Sequence, residues 1–242
     1  ARFGGQWDVA RRYGAGREWG VRASGSLRGG DTPIDRQSET TGVGSLALDY
    51  QGQRYRSWLY LLAQTDRFDA PVRPFLMAPR LQVPTAPDGK LNVTQPWEWS
   101  HIDDKSVLWR NEYDLSNQVT LFGDIGGSRT DVSRFFGLPT IINARGDTTS
   151  TPQFFGLNID RYTYDGGFRA RFDTGIVHHA LTVQASVYHD ELYRRLTNGT
   201  LVTSNIYSPS LGATQFVNDM PGRPRLSDST LTGVSVADTL SV

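Results

Sequence analysis

The sequence predicts an all-β protein: an antiparallel up-and-down transmembrane β-barrel, present in part as about nine strands. Three observations predict it. Apolar residues recur at every second position in segment after segment, the period of a strand with two unlike faces. Short connections alternate with long ones, the organisation of outer-membrane barrels. Composition agrees, with 25 Gly and 11% aromatic residues and no cysteine among 242 residues, which favours turns and β structure over helix.

The segments follow in order. Trp7 and Val9 alternate with Gln6, Asp8 and Ala10. Trp19, Val21, Ala23 and Leu27 alternate with Arg22, Ser24, Ser26 and Arg28. Leu46, Leu48 and Tyr50 alternate with Ser45, Ala47 and Asp49. Residues 55–64 are strand-like, although Trp58-Leu59-Tyr60-Leu61-Leu62 blurs the two faces. Val107, Trp109 and Tyr113 alternate with Ser106, Arg110, Glu112 and Asp114, and Val119, Leu121 and Ile125 with Thr120, Asp124 and Ser128. The clearest case is 161–173. Tyr162, Tyr164, Phe168, Ala170 and Phe172 stand on one face, and Arg161, Asp165, Arg169, Arg171 and Asp173 on the other. Leu181, Val183, Ala185 and Val187 form its hairpin partner, and 234–242 begins one more strand. The expected strand length is about 9–11 residues, enough for a tilted strand to cross a bilayer.

Tight connections are expected at 13–18, 52–53, 116–117 and 174–178, and long ones at 28–41, 67–103, 130–159 and 196–230. An Arg facing lipid at mid-bilayer costs about 2–4 kcal/mol. The charged face of 161–173 therefore looks into a wet lumen, and the aromatic face meets acyl chains. A soluble sheet with one solvated face alternates in the same way; a soluble all-β ligand- or carbohydrate-binding module is the alternative. Bacterial single-chain barrels have an even number of strands and no free edge. An odd count of about nine implies a single partial domain over 1–242, a fragment of a longer barrel.

Several functions are disfavoured. The 25 basic and 25 acidic residues balance, so no field attracts nucleic acid. Without cysteine there is no disulfide, thiolate metal site or Cys nucleophile. No nucleophile elbow, phosphate loop or paired carboxylates point to an enzyme. His101, His178, His179 and His189 are expected as solvated turn or lumen residues. Asp66, Asp69, Asp103 and Asp104 show no calcium-loop spacing, so no metal site and no bound cofactor is expected. Asn92-Val93-Thr94 and Asn198-Gly199-Thr200 match a glycosylation sequon, without meaning in a bacterial outer membrane.

Certain strings, taken in order, resemble the barrel of TonB-dependent siderophore receptors. They are Gln6-Trp7-Asp8-Val9-Ala10-Arg11-Arg12-Tyr13-Gly14, Ser45-Leu46-Ala47-Leu48-Asp49-Tyr50, Gln95-Pro96-Trp97 and Arg110-Asn111-Glu112-Tyr113-Asp114-Leu115. Arg171-Phe172-Asp173-Thr174-Gly175, Ser204-Asn205-Ile206-Tyr207-Ser208-Pro209 and Val236-Ala237-Asp238-Thr239-Leu240-Ser241 continue the series. The similarity is greatest to hydroxamate (ferrichrome-type) receptors. It implies about 22 strands in the outer membrane of a Gram-negative bacterium, with outer-membrane lipid around them. It also implies a ferric siderophore as transported ligand, and TonB acting through an N-terminal plug that 1–242 does not contain. Loops 67–103 and 130–159 are then expected to contribute to ligand binding through Phe75, Phe135 and Phe136, with Trp97 and Trp99 beside them. Aromatic faces suit an amphipathic iron chelate. Arg169 and Arg171 are expected as ion-pair partners inside the lumen.

Overall fold

In a computed structural model that describes residues 1–217 and 222–242, the chain forms one nine-stranded antiparallel sheet and a small four-stranded one, with no helix among the described residues. The strands are β1 (Arg2–Tyr13), β2 (Trp19–Asp31), β3 (Ser38–Gln51), β4 (Tyr55–Asp69), β5 (Leu76–Met77), β6 (Trp99–Asp114) and β7 (Val119–Phe136). They continue with β8 (Thr140–Ile141), β9 (Asp147–Ser150), β10 (Gln153–Thr174), β11 (Val177–Asn198), β12 (Val202–Asn205) and β13 (Arg225–Ser241). The large sheet has the order β1-β2-β3-β4-β6-β7-β10-β11-β13, each strand beside its neighbour in sequence once the short ones are set aside. This is the up-and-down arrangement the alternation predicts.

Register turns the separate alternations into continuous rows. Val236, Val183, Phe168, Leu121, Tyr113 and Tyr55 lie opposite one another across six strands. Val187, Tyr164, Ile125, Trp109, Leu59, Leu48 and Val21 form a second row. A slip of one residue would turn every apolar side chain into the lumen, so these rows fix the pairing. The band runs on β10 from Phe172 to Tyr162. Those ten steps, at about 3.3 Å each and tilted by about 40°, rise roughly 25 Å, the height of an outer-membrane apolar band. At its short-turn edge Trp19 packs on Tyr50 with ring centres 4.7 Å apart, and Tyr50 meets Tyr55 at 6.0 Å, an aromatic girdle.

The opposite face is tied by charge. Arg12 holds Asp49 at 2.8 Å, Arg56 holds Asp114 at 2.6 Å and Glu112 at 3.1 Å, and Arg169 reaches the same Glu112. Arg169 is thus an ion-pair partner within the wall itself. Trp58, Tyr60 and Leu62 lie on this inner side, opposite Asp49, Ala47 and Ser45, which explains why that run blurs the faces. The β10–β11 turn is two residues, with Gly175 at φ 63°. Gly167 lies so close to β11 that a Cβ would stand 2.0 Å from the Val183 carbonyl oxygen.

Two expectations are corrected. The strands of the large sheet run to 12–22 residues, not 9–11. They continue past the apolar band, where Lys105, Arg129, Asp160, Glu191 and Asp228 form a charged row. Both faces are wet there, and apolar alternation no longer marks a strand. The long connections shrink accordingly to 32–37, 70–98, 137–152 and 199–224, the last including residues outside the described set. Three of them are also not structureless, since β5, β8, β9 and β12 pair into the small sheet.

Candidate functional site at the long-loop end

The loops interlock through buried polar groups. Asn92, 1% exposed, donates from Nδ2 to the carbonyls of Asp35 (3.0 Å) and Ala70 (2.9 Å), and its Oδ1 accepts from Thr94 N–H at 2.9 Å. Thr94 Oγ1 donates to the Pro71 carbonyl. The Asn92-Val93-Thr94 string is therefore a local staple. Gln95, 2% exposed, donates to Ser210 O and accepts from Gly212 N–H, which ties 70–98 to 199–224. In the small sheet, amides of Asn143 and Asn205 hydrogen-bond Asp147 and hold its carboxyl below the usual range.

The expected site residues divide between the two sides of the sheet. Phe135 is 3% exposed, with the Trp97 ring 5.4 Å away. Trp99 stacks at 4.4 Å on His101 and meets Phe154, itself 2% exposed, edge-on at 6.4 Å. Trp99, Phe135 and Phe154 are direct cross-strand partners on the outward side, so these rings form a small core above the bilayer. Phe136, one residue on, takes the lumen side by alternation. The Arg73 guanidinium carbon lies 3.5 Å from the centre of its ring. Phe75 is 36% exposed.

The lumen side also brings together residues the sequence reading passed over. Arg134 lies opposite Phe155, with its guanidinium carbon 6.0 Å from that ring. Glu98 is 3% exposed; its Oε2 accepts from Gly137 N–H at 3.2 Å. Burial pushes the Glu98 carboxyl up to about 7, against the Gly137 N–H and Arg73, which pull it down. Burial, with Arg134 nearby, pulls the Arg73 guanidinium below its usual range. A signal existed: Arg73-Pro74-Phe75 and Arg134-Phe135-Phe136 each place an arginine two residues before a phenylalanine.

The histidines are not uniformly solvated turn or lumen residues. His179 and His189 share the outward parity of Leu181 and Val187; His179 stacks on Phe172 at 4.6 Å, and His189 on Tyr162 at 6.3 Å. His189, Glu191 and Asp228 bring ligand atoms within 4.8 Å of one another, but Arg225 already binds both carboxylates, at 3.1 and 2.6 Å. Asp66, Asp103 and Asp104 are engaged by Thr41, Arg67 and Thr130.

No family model matches the chain. It is 29% identical over its whole length to the ferrichrome receptor FcuA of Yersinia enterocolitica, of which it covers 32%. The crystal structure of BauA, the ferric preacinetobactin receptor from Acinetobacter baumannii, matches the whole chain with a TM-score of 0.90 at 30% identity, over 37% of its own length. The ferric-catecholate import receptor Fiu of E. coli K12 matches 99% of the chain with a TM-score of 0.79. The chain covers 37% of Fiu at 17% identity, a likeness that speaks for the fold alone. The chain spans about a third of the length of the relatives it matches. Its rows, girdle and strand order are those of part of an outer-membrane barrel, and over its whole length the chain is similar to a third of these siderophore receptors.

Proposed function

We propose that this chain forms part of the wall and outer mouth of a receptor for energy-coupled uptake of ferric siderophores. One observation carries the reading. Arg134, Phe136 and Phe155 stand above the apolar band on the wet side of strands that cross it, where a ligand arriving from outside meets the lumen. Two relatives support it, a ferrichrome receptor and a ferric preacinetobactin receptor. The soluble binding module gains no support, since a sheet with Trp7, Trp19 and Val236 more than half exposed on one face suits lipid. TonB is a partner through the resemblance alone, acting on a plug.

Within this reading Phe136 and Phe75 offer ring surface to the ligand, while Trp97, Trp99 and Phe135 hold β6, β7 and β10 in place behind it. The chain has no native cysteine, so single cysteines report cleanly. In detergent, a cysteine at Phe136 should react with a polar maleimide and be protected by ferric ferrichrome or ferric preacinetobactin. A cysteine at Phe135 should stay unreactive throughout. Labelling at Phe136 that neither chelate changes would remove this mouth from the binding function.

A further inference from the structure

The mouth contains a charge that the wall does not balance. Elsewhere on the lumen face, Arg12, Arg56 and Arg169 each hold a carboxylate. Arg73 and Arg134 hold none. Neither guanidinium hydrogen-bonds or ion-pairs with any described residue, and the Nε of each is buried and unpaired. Their contacts are aromatic instead, Arg73 on Phe136 and Arg134 on Phe155. A guanidinium has five N–H donors, and a ring face offsets part of its burial without satisfying them. Glu98 lies within reach of the charge on Arg73, but its own carboxyl is turned to the Gly137 N–H.

Two adjacent guanidiniums with one shielded acid leave net positive charge in a part-buried place. Buried cations are costly unless paired. The planar fork of arginine matches an oxyanion in two-point geometry, and flanking rings match a flat aromatic donor.

From this we infer that Arg73 and Arg134 form an anion subsite that grips the anionic oxygens, carboxylate or catecholate, of a ferric chelate. The inference rests on the receptor reading above and narrows it: the ligand carries net negative charge, and a neutral tris-hydroxamate complex is the poorer fit. This departs from the ferrichrome-type resemblance read in the strings. Arg73 rides on loop 70–98 and Arg134 on β7, so the anion joins a loop to the wall.

The test is titration of the whole chain in detergent, read by quenching of tryptophan fluorescence. The probes are the ferric complexes of a synthetic hexadentate tris-catecholate, a trianion, and of a synthetic hexadentate tris-hydroxamate, which is neutral. The trianion should bind about 10- to 100-fold more tightly, the range of one or two charge-assisted hydrogen bonds. Arg73→Gln and Arg134→Gln should each erase most of that preference, weakening the trianion far more than the neutral complex. Arg134→Lys should retain part of it, which separates lost charge from lost fold. Equal binding of both probes to the unaltered chain, or a preference that survives Arg134→Gln, would overturn the subsite and leave the receptor reading standing. Displacement of the trianion by equimolar inorganic phosphate would overturn the assignment to a chelate. Binding of neither probe would sink the receptor reading, and the subsite with it.

Discussion

Phe168→Arg tests the assignment of the two faces most directly. Phe168 lies between Val183 and Leu121 in the outward row, six residues from Tyr162 and four from Phe172. At about 3.3 Å per residue and a tilt of about 40°, it sits roughly 15 Å below the outer edge of the band and 10 Å above the inner one, close to the midplane. An arginine there should cost about 2–4 kcal/mol, whereas at Tyr162 the cost should be about 0–1 kcal/mol. The first figure lowers the folded-to-unfolded ratio by about 30- to 700-fold. The assay is reversible unfolding in guanidinium from lipid vesicles, with tryptophan fluorescence and the shift in gel mobility on heating as independent readouts. Equal penalties at 168 and 162 would refute the depth assignment. A Phe168→Arg chain as stable as the parent in lipid would refute the membrane face altogether.

Glu98 should make the mouth pH-sensitive. Its folded pKa, about 7, is raised above 4.5, so its contribution to loop stability is fully present below about pH 4.5, and about 3 kcal/mol of it is lost as pH rises to 7. Protection of the Gly137 N–H, taken relative to intrinsic base-catalysed exchange, should fall over that window and stay constant in Glu98→Gln; a fall that persists in the variant would show that another group titrates. Asn92→Ala leaves two carbonyls and an N–H without their partner and should cost about 2–4 kcal/mol locally, seen as faster protease cleavage within 70–98. Gln95→Ala should loosen 199–224 from 70–98 around Gly212, raising amide exchange there at least tenfold while the Tyr207–Thr85 bond and the large sheet stay in place. Gly167→Ala should separate β10 from β11, because its Cβ would meet the backbone of Val183; a cost under about 0.5 kcal/mol in vesicle unfolding would show the strands yield freely.

What was legible in the sequence is what the bilayer enforces. Where one face meets lipid and the other water, Tyr162 to Phe172 must alternate, and the strand can be read residue by residue. At Asp160 the constraint ends. β10 continues to Gln153 with Asp160 and Asn158 on the side that carries Tyr162, and nothing in hydropathy separates that stretch from a loop. Phe135 and Phe136 therefore read as loop aromatics although both lie in β7, and their opposite roles follow from one residue of parity. β5 and β8 are two residues each, too short for any period. The histidines were readable: odd numbering from 179 to 189 places them with Leu181 and Val187. The two arginines were visible but unremarked, since an unpaired charge is defined by what fails to lie beside it, and only the fold supplies that.

The same geometry explains why the mouth can be both firm and adjustable. Arg134, Phe136 and Phe155 are carried by β7 and β10, which pair without a break from the turn end to the long-loop end, so their spacing is inherited from the membrane-spanning rows. Arg73 and Glu98 come from a loop held by side-chain bonds of Asn92, Thr94 and Gln95. An anion between Arg73 and Arg134 would add a contact between these two parts, and its binding free energy would appear as protection of loop 70–98. Saturating trianionic chelate should therefore slow exchange at the Ala70 N–H, which donates to the Glu98 carbonyl at 2.7 Å, and leave β10 amides near Phe168 unchanged. Protection spreading equally to β10 would mean that the ligand stabilises the sheet as a whole, and that loop and wall are one cooperative unit.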